Sequence, residues 1–228
     1  MLKENPISLI YGSAIDNSSC FAESESRWNL NQLEGSILKK LEVQVGVFPG
    51  ITKLYSYVGQ FGSAFGMHTE DGDLFSGSRL HQGDPKVWYS TSPADKKKVE
   101  AVLDELFKEN KQACSGHMRH KMMFVHQQVL ASKGIQVYYT IQEAGDYIVT
   151  WPGQIHWGMN LGRNYADACN LANRDWIKYG LQATACDCAL KSIYNVQIPM
   201  NLFVNEFLPN MYQDFIDGKL TLKILYYV

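Results

Sequence analysis

Residues 55–89 read YSYVGQFGSAFGMHTEDGDLFSGSRLHQGDPKVWY, and this stretch decides the fold. Aromatic residues recur in short runs, and Gly59, Gly62, Gly66, Gly72, Gly77 and Gly83 punctuate them. Such a pattern predicts short strands joined by turns. At its centre stands His68-Thr69-Glu70. On a strand, residues two apart point to the same side, so His68 and Glu70 share a face. A second histidine, His156 in TWPGQIHWGMN, follows a Pro152-Gly153 turn and can complete the face from a distant strand. Two imidazoles and one carboxylate leave positions open on a bound metal, the arrangement suited to non-haem Fe(II) oxygenases. Open positions matter because a co-substrate and O2 must both reach the ion. With six His and 23 acidic residues among 228, chance alone supplies roughly 0.6 His-x-acid matches, so the surroundings must decide.

Outward from that stretch, strands give way to a helix predicted from about Pro93 to Phe107. Val99, Val102, Leu103, Leu106 and Phe107 fall on one face, and Ser92 before Pro93 supplies the start signal. Residues 136–172 return to strand-like runs such as IQVYYTI and DYIVTW, and Asp175 to Leu181 and roughly 199–216 read as helical. Strands interrupted by a helical insertion fit a mainly β fold with flanking helices, a jelly-roll barrel of the cupin type. At 228 residues the chain is most simply a single domain over 1–228.

Net charge is −2, which predicts no direct nucleic-acid binding. No run of 18 apolar residues occurs and the first residues lack a signal-peptide pattern, so a soluble, intracellular protein with no membrane association is expected. Five cysteines at scattered spacings do not form a disulfide framework. Cys114, His120, Cys186 and Cys188 together make a Cys3His set of the kind that suits closed tetrahedral zinc, although neither half has common zinc-finger spacing. Cys20 and Cys169 are left as free thiols, and His81, His117 and His126 as packing or surface residues.

The stretch 55–89 resembles the JmjC (Jumonji C) domain, a family of 2-oxoglutarate oxygenases rich in histone lysine demethylases. The likeness continues through CSGHMRHKM, QEAGDYIVTWPGQIHWGMNLGRNYADACNLANRDWIKYG and CDC, and takes in YGSAIDNSS and FVNEFLPNMYQDFIDGK near the two ends. The RHKM run and the Cys/His pattern are most similar to the branch acting on trimethylated lysine nine or thirty-six of histone H3.

The resemblance implies a double-stranded β-helix and a set of site residues. His68, Glu70 and His156 would bind Fe(II). Lys86 would meet the distal carboxylate of 2-oxoglutarate, with Tyr11 donating its hydroxyl. Phe65 and Trp88 would wall the pocket, and Lys121 and Thr150 would border it. Cys114, His120, Cys186 and Cys188 would bind Zn2+, tying the mid-chain insertion to the C-terminal helical part. Gly50, Tyr55, Tyr57, Ala168, Cys169 and Asn170 would surround the methylated lysine of a histone H3 tail, in the nucleus.

Two departures stand out. Ser78 occupies the position, eight residues after Glu70, where the family usually has Asn. Ala168-Cys169 replaces the family's usual pair of small hydroxyl residues. The expected activity is demethylation with release of formaldehyde. A JmjC hydroxylase of protein side chains is the first alternative, and a chromatin scaffold with a weak oxygenase centre the second.

Overall fold

In a computed structural model, residues 11–16, 29–30, 36–48, 50–186 and 196–220 are described. Cys188, Cys20 and residues 221–228 lie outside them. The described strands are β1 (Gly12–Asp16), β2 (Tyr55–Gly59), β3 (Ala64–His68), β4 (Phe75–Gly83), β5 (Lys86–Thr91), β6 (Val137–Gln142), β7 (Tyr147–Thr150), β8 (His156–Asn160) and β9 (Asn164–Leu171). They form two antiparallel sheets, one ordered β1-β2-β9-β4-β7 and the other β3-β8-β5-β6. Mainly antiparallel sheets with flanking helices are the jelly-roll architecture that the strand pattern predicts.

Cross-strand register decides which side chains look inward. In the larger sheet Ser78 pairs with Ala168 and Ile148, Ser76 with Asn170 and Thr150, and Tyr55 with Ala168. In the smaller sheet Lys86 pairs with Gln142 and Asn160, Trp88 with Thr140 and Gly158, and His68 with His156. Directly paired residues share a face, and alternate residues along a strand return to it. Gln142 ties the sheets together. Its Nε2 donates to the Ser78 carbonyl (3.1 Å) while its Oε1 accepts from Trp88 Nε1 (2.8 Å).

The connection from β5 to β6 carries the helical insertion. The predicted helix is a short 3-10 turn, Pro93–Asp95, followed by an α-helix, Lys96–Leu106. Ser92 caps the start, its hydroxyl accepting from the Ala94 N–H at 3.3 Å. Val99, Val102 and Leu103 are buried against Met67, Met123, Ile155 and Trp157. Leu106 departs from the expected apolar face and is 51% exposed. The helix ends there, since Phe107 leaves helical backbone at φ −120°, ψ 52°, while its ring still packs on the core. Truncating Leu103 would cost about 2–5 kcal/mol. A second apolar cluster joins Leu38 and Leu41 of the Leu38–Val45 helix to Trp176, Ile177 and, from the Met200–Phe207 helix, Phe203 and Val204. Pro209 separates that last helix from Tyr212–Ile216, splitting the predicted 199–216 segment.

Gly66 is the tightest approach between insertion and barrel. A β-carbon there would lie 2.2 Å from the Lys121 carbonyl oxygen. The bare glycine lets the chain after His120 run alongside β3, where the Met67 N–H donates to the Met123 carbonyl at 2.7 Å. This apposition brings Lys121 near Glu70.

Candidate active site

His68 ends β3, His156 begins β8, and the register sets them opposite each other, with ring centroids 4.3 Å apart. Glu70 follows in extended backbone (φ −67°, ψ 158°), just before the short turn Asp71–Asp73. The donor atoms of the three residues lie within 4.8 Å of one another. Glu70 Oε1 is 3.2 Å from His156 Nε2 and 3.8 Å from His68 Nε2. Each imidazole is locked from behind. His68 Nδ1 donates to the Gly66 carbonyl (2.7 Å) and His156 Nδ1 to the Gln154 carbonyl (3.0 Å). Both Nε2 lone pairs therefore face the shared point, as is usual for metal-ligating histidines, whose other ring nitrogen donates to an oxygen behind it. The other Glu70 oxygen, Oε2, accepts from Asn170 Nδ2 at 3.2 Å. Asn170 Nδ2 also donates to the Phe75 carbonyl (3.1 Å), so the amide steadies the carboxylate from β9.

The electrostatics favour a cation. Burial alone would raise the Glu70 carboxyl. The Lys121 charge and the His156 and His68 imidazoles outweigh it and hold the group well below the usual carboxylate range. Burial, reinforced by Lys121 and His156, pushes His68 down to about 3, so its imidazole is neutral. A neutral His68 imidazole, the His156 ring and an ionised carboxylate, buried and aimed at one point, fit a divalent ion of the Fe(II) type.

Deeper in the barrel, Lys86 is 2% exposed. Its Nζ donates to Asn160 Oδ1 at 2.5 Å, and no carboxylate pairs with it among the described residues. Burial lowers it to about 8. A buried ammonium whose described hydrogen bond goes to an uncharged amide fits an anionic partner. The Tyr11 ring lies 5.8 Å from Lys86 Nζ, and burial pushes its hydroxyl up to about 12, so it is a protonated donor. Phe65 and Trp88 meet edge to face at 4.8 Å, and Trp88 stacks toward His156 at 6.0 Å. The Thr150 hydroxyl is engaged with Ser76 at 2.7 Å. Ser78 is buried on the same face of the larger sheet as Ala168, Asn170 and Thr150.

Tyr55 and Tyr57 stand on one face of β2, as their spacing predicts. Burial, with Glu70 second, keeps the Tyr57 phenol protonated. Gly50 has φ +77°, and a β-carbon there would fall 2.4 Å from the Tyr55 ring. The glycine makes room for that ring. Ala168 and Asn170 share the inner face of β9, whereas Cys169 points outward, its Sγ 3.6 Å from the Leu30 carbonyl. Of Cys169 only the backbone borders the inner face.

The second cluster holds Cys114, His120 and Cys186, with donor atoms again within 4.8 Å. Cys114 Sγ is 3.5 Å from Cys186 Sγ, which is 3.4 Å from His120 Nε2. Tetrahedral zinc with bonds of about 2.0–2.3 Å sets its ligands about 3.5 Å apart, so these three residues fit it. Cys188 lies outside the described residues.

Several engaged residues escape a reading by motif. Arg119 is buried and bonded to Thr69, Glu70, Asp73 and Thr184. Asp73 is bound also by Lys96. His81 pairs with the buried Asp167 at 2.8 Å, His117 faces Asp104 at 3.2 Å, and His126 caps the Gln127–Ser132 helix. Among the described residues no helix is long and apolar enough to cross a membrane.

A family model described as "JmjC domain, hydroxylase" matches residues 55–171, more than half of the chain. The chain is 40% identical over 205 residues to human "Probable lysine-specific demethylase 4F", covering 90% of this chain and 31% of that protein. It is 37% identical over 213 residues to rat "Lysine-specific demethylase 4D", covering 93% and 40%. Against mouse "Lysine-specific demethylase 4B" it is 35% identical over 214 residues, covering 93% and 19%. The chain thus spans between about a fifth and two-fifths of the length of these curated relatives.

Proposed function

The chain belongs to the JmjC domain family, and on that premise we propose that it is an Fe(II)- and 2-oxoglutarate-dependent lysine demethylase domain acting on methylated histone H3 tails in the nucleus. The convergence of His68, Glu70 and His156 above the buried Lys86 carries this reading. His68, Glu70 and His156 would hold the metal, and three protein donors would leave room for a co-substrate and O2. Fe(II) bound there, with 2-oxoglutarate and O2, supplies the oxidation of an N-methyl group that ends in formaldehyde and free amine.

The chain's own residues do the rest. Lys86 and Tyr11 hold the distal carboxylate of 2-oxoglutarate through charge-assisted and hydroxyl hydrogen bonds. Phe65 and Trp88 keep water from its carbon chain, while Ser78, Thr150 and Lys121 offer donors beside it. Gly50, Tyr55, Tyr57, Ala168 and Asn170, with the Cys169 backbone, border the methylammonium. The tyrosine rings attract its charge through their faces. Cys114, His120, Cys186 and Cys188 would hold Zn2+ and so tie the insertion to the C-terminal part.

Mass spectrometry of trimethylated histone H3 peptides incubated with protein, Fe(II), ascorbate and 2-oxoglutarate tests the reading. A 14 Da loss is expected. A 16 Da gain would assign the hydroxylase alternative, and an unchanged peptide with no succinate formed would remove both.

A further inference from the structure

Arg119 is 6% exposed, and the described contacts engage three of its guanidinium nitrogens. Nη1 donates to the Thr69 carbonyl (3.1 Å), the Thr69 hydroxyl (3.0 Å) and the Glu70 carbonyl. Nη2 donates to Asp73 Oδ1 (3.1 Å). Nε donates to the Thr184 carbonyl (3.1 Å), two residues before Cys186. Arg119 itself sits directly before His120, five residues after Cys114.

One side chain therefore touches three stretches. It lies in the 3-10 turn that ends at His120, it grips the segment leading to Cys186, and it clasps the backbone of Thr69 and Glu70 and the turn that follows. That turn needs clasping. Gly72 (φ +58°) and Asp73 (φ +51°) are both left-handed, and Asp73 is not a glycine. A non-glycine residue persists there only when its surroundings over-determine it. Arg119 and Lys96 on the Asp73 carboxylate, with Trp176 Nε1 on the Gly72 carbonyl (2.8 Å), supply that restraint. On the opposite flank Gly116 admits the second stretch, since a β-carbon there would lie 2.5 Å from the Ala185 carbonyl oxygen.

We infer that Arg119 is a positioning residue that couples the two metal centres, transmitting the fixed geometry of the Cys/His cluster to the backbone of Glu70. A guanidinium suits the task because its planar fork serves several acceptors at fixed angles, which an ammonium cannot. The inference rests on the reading of His68, Glu70 and His156, and of Cys114, His120 and Cys186, as metal ligands.

Arg119→Met keeps the stem and removes the donors. In zinc-loaded protein, Mn2+ reports on the iron position, because thiolates do not favour it. Loss of an outer-shell partner costs about 10–100-fold in metal affinity, so R119M should bind Mn2+ at least about tenfold more weakly while retaining zinc. The Mn2+ electron paramagnetic resonance spectrum should change its zero-field splitting, which a merely structural role would not move. Thr69→Val, which removes one acceptor and leaves Asp73 bound, should shift the same two readouts by a smaller amount. Chelating zinc from the parent should weaken Mn2+ binding, and that effect should disappear in R119M. Unchanged Mn2+ affinity and spectrum in zinc-loaded R119M would overturn the inference alone. If R119M does not fold, an unchanged T69V would do so. A parent protein that binds no Mn2+ would overturn the metal reading and the inference together.

Discussion

The two candidate metal centres are built in opposite ways. His68 and His156 stand on paired strands, their rings opposed by register and their Nδ1 atoms bound to nearby carbonyls. Cys114, His120 and Cys186 come from loops and a four-residue 3-10 turn that packs against β3, and none of the three lies on a strand. The difference teaches where order comes from. A strand pair fixes its donors by backbone hydrogen bonds before any ion arrives. The loop cluster has no paired strands of its own, and a metal bound there would contribute directly to folding. On the proposed reading, one centre serves the chemistry and the other holds the protein together.

If that division is right, losing a ligand should have opposite consequences at the two sites. His156→Ala should abolish 2-oxoglutarate turnover and move the thermal midpoint by less than about 5 °C. Turnover in that variant would break the comparison outright. Cys114→Ser should lower the midpoint by more than about 5 °C yet leave measurable turnover at saturating Fe(II) and low temperature. Thermal unfolding alongside succinate production reads both.

The strand-built centre can be sharpened further through Lys86. Lys86→Ala should weaken 2-oxoglutarate binding by about tenfold to a hundredfold, measured by calorimetry with Mn2+ in the site. Burial lowers Lys86 to about 8, and only its charged form attracts a carboxylate. Affinity in the parent should therefore hold steady below about pH 8 and fall above it, by up to about tenfold per pH unit. A flat profile through pH 9 would remove Lys86 from the anion site. The smallest effect belongs to Ser78→Asn, which restores a longer donor on the inner face. A gain of a few-fold in 2-oxoglutarate affinity is expected, on the order of 0.5–1 kcal/mol, and a loss would mean that the Ser78 pocket has closed around the smaller side chain.

Much of this was legible in the sequence because strand periodicity is. His68 and Glu70 two apart, Tyr55 and Tyr57 two apart, and the run from Lys86 to Tyr89 all carry their facing in their spacing. The same periodicity places Cys169 opposite Ala168 and Asn170, although a motif lists the three together. Leu106 fits its helical face by spacing and is exposed nonetheless, since spacing gives a face but not how far the core beneath it extends. Arg119 was illegible for a different reason. An arginine is ordinarily at the surface, and nothing in RHKM marks its partners, which lie 46 to 65 residues away. Asn170 shows the same limit, since its hold on Glu70 spans 100 residues. Short-range pattern gives the donors of a site, while the groups that steady them are found only once the chain has closed on itself.

Gly50 and Tyr55 carry one more consequence. The ring lies where any β-carbon at residue 50 would intrude, so Tyr55 is wedged against bare backbone. A side chain confined in this way gives up its rotational freedom when the protein folds. A ligand arriving later does not have to remove that freedom again, a saving on the order of 0.5 kcal/mol per side chain so confined. The glycine thus moves an entropic loss from the moment of recognition to the moment of folding.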